Sequence, residues 1–115
     1  KNKIQKAGDV LAFSISSSLL DAMVLAVVNM DDTYGYKITQ EIRKAMDVSE
    51  STLYPVLRRL LKDNCLETYD MSYMGRNRRY YKITQKGILT LGIYKEEWKT
   101  YKTNIDNIIL NGGEQ

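Results

Sequence analysis

Arg58, Arg59 and Lys62 stand close together in SESTLYPVLRRLLKDN, the segment from Ser49 to Asn64, and no carboxylate falls between them. A second cationic group, Arg76, Arg78, Arg79 and Lys82, follows in GRNRRYYK. Guanidinium and ammonium groups neutralise phosphates, and Arg can also grip a guanine edge through two hydrogen bonds. That chemistry is recognition rather than turnover. The 115-residue chain has no histidine, which excludes His triads, His general bases and His-ligated metals. Its single cysteine, Cys65, cannot form an intrachain disulfide or a thiolate cluster, and beside Leu61 and Leu66 it reads as a small buried apolar residue. No cofactor and no enzymatic activity are expected.

The net charge of +3 is modest, but its distribution is uneven. From Tyr34 to Lys86 there are 11 Lys/Arg against 6 Asp/Glu, a net +5, while the remainder carries 6 against 8, a net −2. This asymmetry points to an anionic partner, nucleic acid first and a membrane surface second. The start KNKIQK is basic, but the apolar stretch after it is broken by SISSS and by Asp21. It fits neither a signal peptide nor a membrane span, which predicts a cytoplasmic address.

Four helices and a hairpin must position these cations. LLDAMVLAVVNM, Leu19 to Met30, is apolar almost all round and predicts a buried first helix. DDT offers capping groups for a second helix over roughly Tyr34 to Met46, with Ile38, Ile42 and Ala45/Met46 on one face. A turn at DVS precedes a third helix capped by Ser49 or Ser51. LETYDMSY and RRYYKIT read as strands flanking MGRN, where Gly75 can take positive φ, and Thr84 caps a fourth helix running to about Leu110. This order is that of a winged helix: mainly α with a small β-hairpin, an α+β winged helix-turn-helix plus a C-terminal helix. Residues 1–18 form an arm and the start of the first helix, 19–84 the winged-helix domain, 85–110 a dimerisation helix and 111–115 a tail.

On the third helix Leu53, Val56, Leu57, Leu60 and Leu61 cover one face, leaving Ser51, Pro55, Arg58, Arg59 and Lys62 on the other. A proline in a helix interior costs about 3 kcal/mol. With the cap at Ser51, Pro55 is the fourth helical residue, where at most one backbone bond is lost. Ser51, Thr52 and Tyr54 then place small polar groups and N–H groups at a helix N-terminus, suited to a phosphate. The bland alternative is a surface helix with a tolerated proline. In the hairpin Arg76 and Asn77 occupy the tip, and alternation turns Tyr81 and Ile83 inward with Arg78, Tyr80 and Lys82 outward. A cationic tip suits a narrow minor groove; a merely solubilising edge is the rival reading.

Leu91, Tyr94, Trp98, Tyr101, Ile105 and Ile108 follow spacings of three and four, the seam of a coiled coil. A second copy of the chain is the expected partner, and it would set two recognition helices about one DNA turn, roughly 34 Å, apart; a seam folded back on its own domain is the rival reading.

YGYKITQEI, STLYPVLRRLLKDN and GRNRRYYKITQKG together resemble the PadR family of bacterial transcriptional regulators. That family's pattern is a GY-x-I helix, a T-[LV]-Y-P-x-L-[KR]-R-L recognition helix and a wing ending in R-[KR]-Y-Y-x-[IL]-T-x-x-G. The resemblance runs from about Leu19 to the C-terminus and implies a homodimeric repressor on a pseudo-palindromic operator in double-stranded DNA. The single C-terminal helix is similar to the small PadR subgroup. This chain departs from many relatives in its short DVSES link before the recognition helix. By resemblance Tyr36, Ser51, Thr52 and Tyr54 match the DNA-facing region. Tyr36, Ser51 and Tyr54 suit phosphates; Thr52, Pro55 and Arg58 suit base edges; Arg59 and Lys62 suit the DNA backbone or solvent. Multidrug-sensing members of the subgroup carry a tryptophan at a similar place, which implies a planar aromatic effector at Tyr94, Trp98 and Tyr101. Two alternatives stand beside this reading: a winged-helix module that binds an acidic protein, and a small-molecule carrier without DNA binding.

Overall fold

The computed structural model describes residues 16–111. The remainder of the expected arm and the end of the tail lie outside them. The elements run α1 (Ser17–Met30), α2 (Gly35–Arg43), α3 (Glu50–Lys62), β1 (Leu66–Tyr73), β2 (Arg76–Ile83) and α4 (Gln85–Ile109). Helix α1 starts two residues before the expected Leu19 because the Ser16 hydroxyl accepts from the Leu19 N–H at 3.1 Å. Packed against α2, α3, α4 and β2, it forms the centre of the domain. Val24, Leu25 and Val28 there meet Ile38 and Ile42 of α2 and Leu53 of α3 in a core closed to water.

Helix α2 is shorter than the sequence suggests, and the DDT residues do not cap it. Tyr34 is its N-cap and makes no side-chain capping bond. Thr33 instead pairs with Tyr81 of β2 through two backbone bonds of 3.2 and 2.7 Å, and Asp32 accepts from the Tyr69 hydroxyl at 2.8 Å. The segment is thus drawn along the hairpin, an attraction that local capping patterns do not register.

Helix α3 ends in a Schellman motif. Asn64 takes φ of 64°, its N–H reaches the Leu61 carbonyl and the Cys65 N–H reaches that of Leu60. Strands β1 and β2 pair antiparallel from Leu66↔Ile83 to Tyr73↔Arg76. Only Met74 and Gly75 remain in the turn, with φ of 51° and 78°. Both central residues on the left-handed side define a type I′ turn, whose twist matches that of the strands. Arg76 and Asn77 therefore belong to β2, and the wing tip is Met74–Gly75.

Thr84 caps α4, accepting from the Gly87 N–H at 3.0 Å. A Cβ at Gly87 would lie 2.2 Å from the Cys65 carbonyl oxygen, so only glycine lets α4 start this close to the end of α3. Cys65 is buried, as expected. Leu91 is buried in the chain's own core, whereas Trp98, Tyr101, Ile105 and Ile108 are exposed along the C-terminal half of α4. Among the described residues no helix is long and apolar enough to cross a membrane.

Candidate nucleic-acid interface

The start of α3 is built on Ser49, not Ser51. Its hydroxyl accepts from the Thr52 N–H at 3.2 Å and lies 2.9 Å from the Ser51 hydroxyl and 3.1 Å from that of Thr52. Pro55 is consequently the sixth helical residue, counted from Glu50. The bond it cannot donate would have gone to the Ser51 carbonyl, and Ser51 is exposed, so water can satisfy that oxygen. The DVSES link thus makes α3 longer at its N-terminal end than a Ser51 cap allows.

Ser51, Thr52, Tyr54, Pro55, Arg58 and Lys62 all lie exposed on one side of α3. Opposite them Leu53, Val56, Leu57 and Leu60 enter the core. Tyr36 stands exposed in the first turn of α2, its phenol oxygen accepting from Gln40 Nε2 at 3.1 Å. Between α2 and the start of α3 runs a polar cleft of about 620 Å³ that includes Tyr36, Gln40, Ser49 and Glu50. The cations of α2 are partly spent within the helix, since Lys37 and Lys44 both pair with Glu41 at 3.8 and 3.1 Å.

Arg59 is half-exposed on that face of α3, its side chain 38% exposed. Its Nη2 donates to Oδ1 of Asp21, a buried carboxylate on α1. The sequence shows Asp21 as an interruption in an apolar helix, but its partner lies 38 residues away.

Arg78 is also engaged. Its guanidinium lies 4.0 Å from the Tyr34 ring centroid and 4.1 Å from that of Tyr73, so aromatic faces cover it from two sides. Tyr80 stacks on Tyr69 at 5.7 Å and meets Tyr34 edge-on at 5.6 Å. The Asp32 carboxylate accepting from Tyr69 holds the phenol proton in place and pushes its pKa up to about 12. Sequence reasoning misses this tyrosine cluster, although period-two alternation puts Tyr69, Tyr73, Arg78 and Tyr80 on one face. Arg76 and Asn77 are exposed beside it. Arg79, on the other face, pairs with Asp70 at 3.8 Å.

Along α4 the six seam residues divide. Leu91 belongs to the domain core, and Tyr94 is half-buried with its hydroxyl 3.5 Å from Asp21 Oδ2. Burial, then the Asp21 charge, raises its pKa. The exposed part of the seam starts at Trp98, whose ring lies 6.2 Å from that of Tyr101. An open cavity of about 330 Å³ separates α4 from the first turns of α1, lined by Leu19, Ala22, Tyr94, Glu97, Trp98 and Tyr101 among others. Its charged group is Glu97; Lys102 is turned to Asp106 at 3.3 Å.

Residues 24–92, from mid-α1 through both helices of the turn and the wing to the start of α4, match the transcriptional regulator PadR-like family. The chain belongs to that family. PadR-family proteins are DNA-binding transcription regulators, and their work is not enzymatic. A Streptococcus mutans protein of known structure is 39% identical, with a TM-score of 0.80 over 86% of this chain and 93% of that one. A PadR-like transcriptional regulator of Bacillus cereus is 30% identical, covering 80% of this chain and 92% of its own with a TM-score of 0.74. A PadR family regulator of Clostridium difficile is 28% identical, over 78% and 97%, with a TM-score of 0.72. An uncharacterised Lysinibacillus sphaericus protein is 39% identical over 93 residues, 76% of this chain and 84% of that one. The PadR wing ending T-x-x-G has a local reason here: Thr84 caps α4 and Gly87 makes room for the Cys65 carbonyl. Tyr94 to Ile108 lie beyond the residues matched by the family.

Proposed function

We propose that this PadR-like protein is a repressor that binds a pseudo-palindromic operator as a homodimer and is released by a planar aromatic ligand. The observation that carries the reading is the exposed arc of α3, where Arg58 and Lys62 stand beyond small hydroxyl groups and are covered by none of the described residues. In the major groove Thr52, Pro55 and Arg58 would face base edges, with Thr52 and Pro55 against thymine methyls. Tyr36, Ser51, Tyr54 and Lys62 would meet phosphates. Arg76, Asn77 and Arg78 would serve the wing in the adjacent minor groove, Arg78 with its orientation held by Tyr34 and Tyr73. Arg59 is left out of this set because Asp21 already holds it.

The exposed apolar residues Trp98, Tyr101, Ile105 and Ile108 favour a second copy as partner for α4. The cavity beside Trp98 is aromatic and carries Glu97, a combination that suits a planar cation by stacking and charge. Titrating the protein into the DNA upstream of its own gene, at several salt concentrations, tests the core of the reading. Tight binding to an inverted repeat, falling steeply with salt, is the expected result. Equal affinity for the repeat and for random duplex would overturn it.

A further inference from the structure

Asp21 is the one carboxylate of α1, in the middle of an apolar helix, and it is only 9% exposed. An ionised carboxylate in such a place costs several kcal/mol unless its oxygens are paired. Each has a partner, one close and one at longer range, on different helices. Oδ1 accepts from Arg59 near the end of α3, and Oδ2 lies 3.5 Å from the Tyr94 hydroxyl of α4. Arg59 adjoins Arg58 and stands one turn from Lys62, both on the exposed arc. Tyr94 marks the place where α4 leaves the domain, with Leu91 before it in the core and Trp98 after it in the open. One buried group therefore ties the DNA-facing helix to the root of the projecting helix.

We propose that Asp21 is a specificity-determining residue that sets which half-site spacing the dimer accepts, by fixing the angle between α3 and α4. The proposal rests on the homodimeric operator reading above. Two recognition helices borne on paired α4 helices are separated by a distance that this angle controls. Apolar burial is non-directional, and helix packing tolerates a scatter of about 15–20° in crossing angle. A charge-assisted hydrogen bond has a preferred length and direction and does not. Replacing a buried ion pair by apolar side chains is often neutral or stabilising, and an ion pair open to water contributes little, so this pair, with the Arg59 side chain 38% exposed, has little to add to stability that leucines would not supply. What leucines cannot supply is the direction. One base pair of added spacing displaces the half-sites by about 3.4 Å along the duplex and turns one about its axis by roughly 35°, a shift that a loosened joint could absorb in part.

In vitro selection from a random duplex pool, using the whole chain, tests this. Wild type should return an inverted repeat with a single spacer length and reject spacers one base pair longer or shorter by about tenfold or more. Asp21→Asn and the double variant Asp21→Leu/Arg59→Leu should select the same half-site, remain dimeric by sedimentation and reject altered spacers by only about threefold or less. Tyr94→Phe, which removes only the hydroxyl and guards against variants that fail to fold, should fall between them. Arg59→Lys keeps the charge and should keep the spacing. Dimeric variants with unchanged spacer preference overturn the proposal, as does a lowered melting temperature with unchanged preference. A salt slope reduced by about one in Arg59→Leu, with equal loss on every sequence, also overturns it by making Arg59 a phosphate contact. If wild type selects no inverted repeat, the dimeric operator reading itself falls.

Discussion

Single residues here are under constraints of different kinds. Gly87 is fixed by space, because a Cβ would sit 2.2 Å from a backbone oxygen and 2.7 Å from Ile83 Cγ1. Neither strand end nor helix start can yield freely, so Gly87→Ala should lower stability by about 2 kcal/mol in urea unfolding. Met74 is strained by its backbone, standing at the turn tip with φ of 51° and 84% of its surface exposed. A left-handed conformation costs a side-chain-bearing residue about 1–2 kcal/mol, less for Asn. Met74→Asn, creating the Asn-Gly pair that type I′ turns favour, should raise stability by about 1 kcal/mol on the same assay.

At the scale of the element, α3 divides its cations between two tasks. Arg59 is turned inward to α1, and Arg58 and Lys62 remain outward. Arg58→Ala should weaken operator binding by about 1–3 kcal/mol while leaving random duplex less affected, as expected of a base contact. Lys62→Ala should weaken all sequences alike and shrink the salt slope by about one. Competition titrations against random DNA separate the two outcomes. The wing shows a similar division: Arg78 is held between two rings, while Arg76 and Arg79 are exposed, Arg79 beside Asp70.

At the scale of the whole molecule, the apolar residues along the C-terminal half of α4 are exposed. Ile105 and Ile108 are 36% and 74% exposed in the single chain. Changing both to Asp should put charges into the seam and yield monomers by sedimentation, with operator affinity falling as half the contacts are lost. Trp98 provides the second measurement. A planar cationic dye at high micromolar concentration should quench its emission and weaken operator binding, because a ligand between α1 and α4 would favour one arrangement of the proposed dimer over another. Unchanged emission across a panel of such dyes would leave Trp98 as a dimer contact alone.

Local periodicity determined most of the architecture. Apolar spacing of three and four placed α1, α3 and α4, and alternation with a glycine placed the hairpin, because each of these signals is written within a few neighbouring residues. The family's motifs were equally legible, as were the exposed residues of α3 from Ser51 to Lys62. Tertiary structure decided which polar groups remain available. Arg59 and Asp21 are 38 residues apart, Tyr69 and Asp32 are 37, and Tyr94 and Asp21 are 73. No window of sequence contains both members of such a pair. The same holds for Leu91, which fits a seam by spacing but was taken by the chain's own core, and for Thr33, which left its helix cap to bond Tyr81. A helical wheel separates inward from outward; only the packed domain determines whether an outward side chain meets water or another helix.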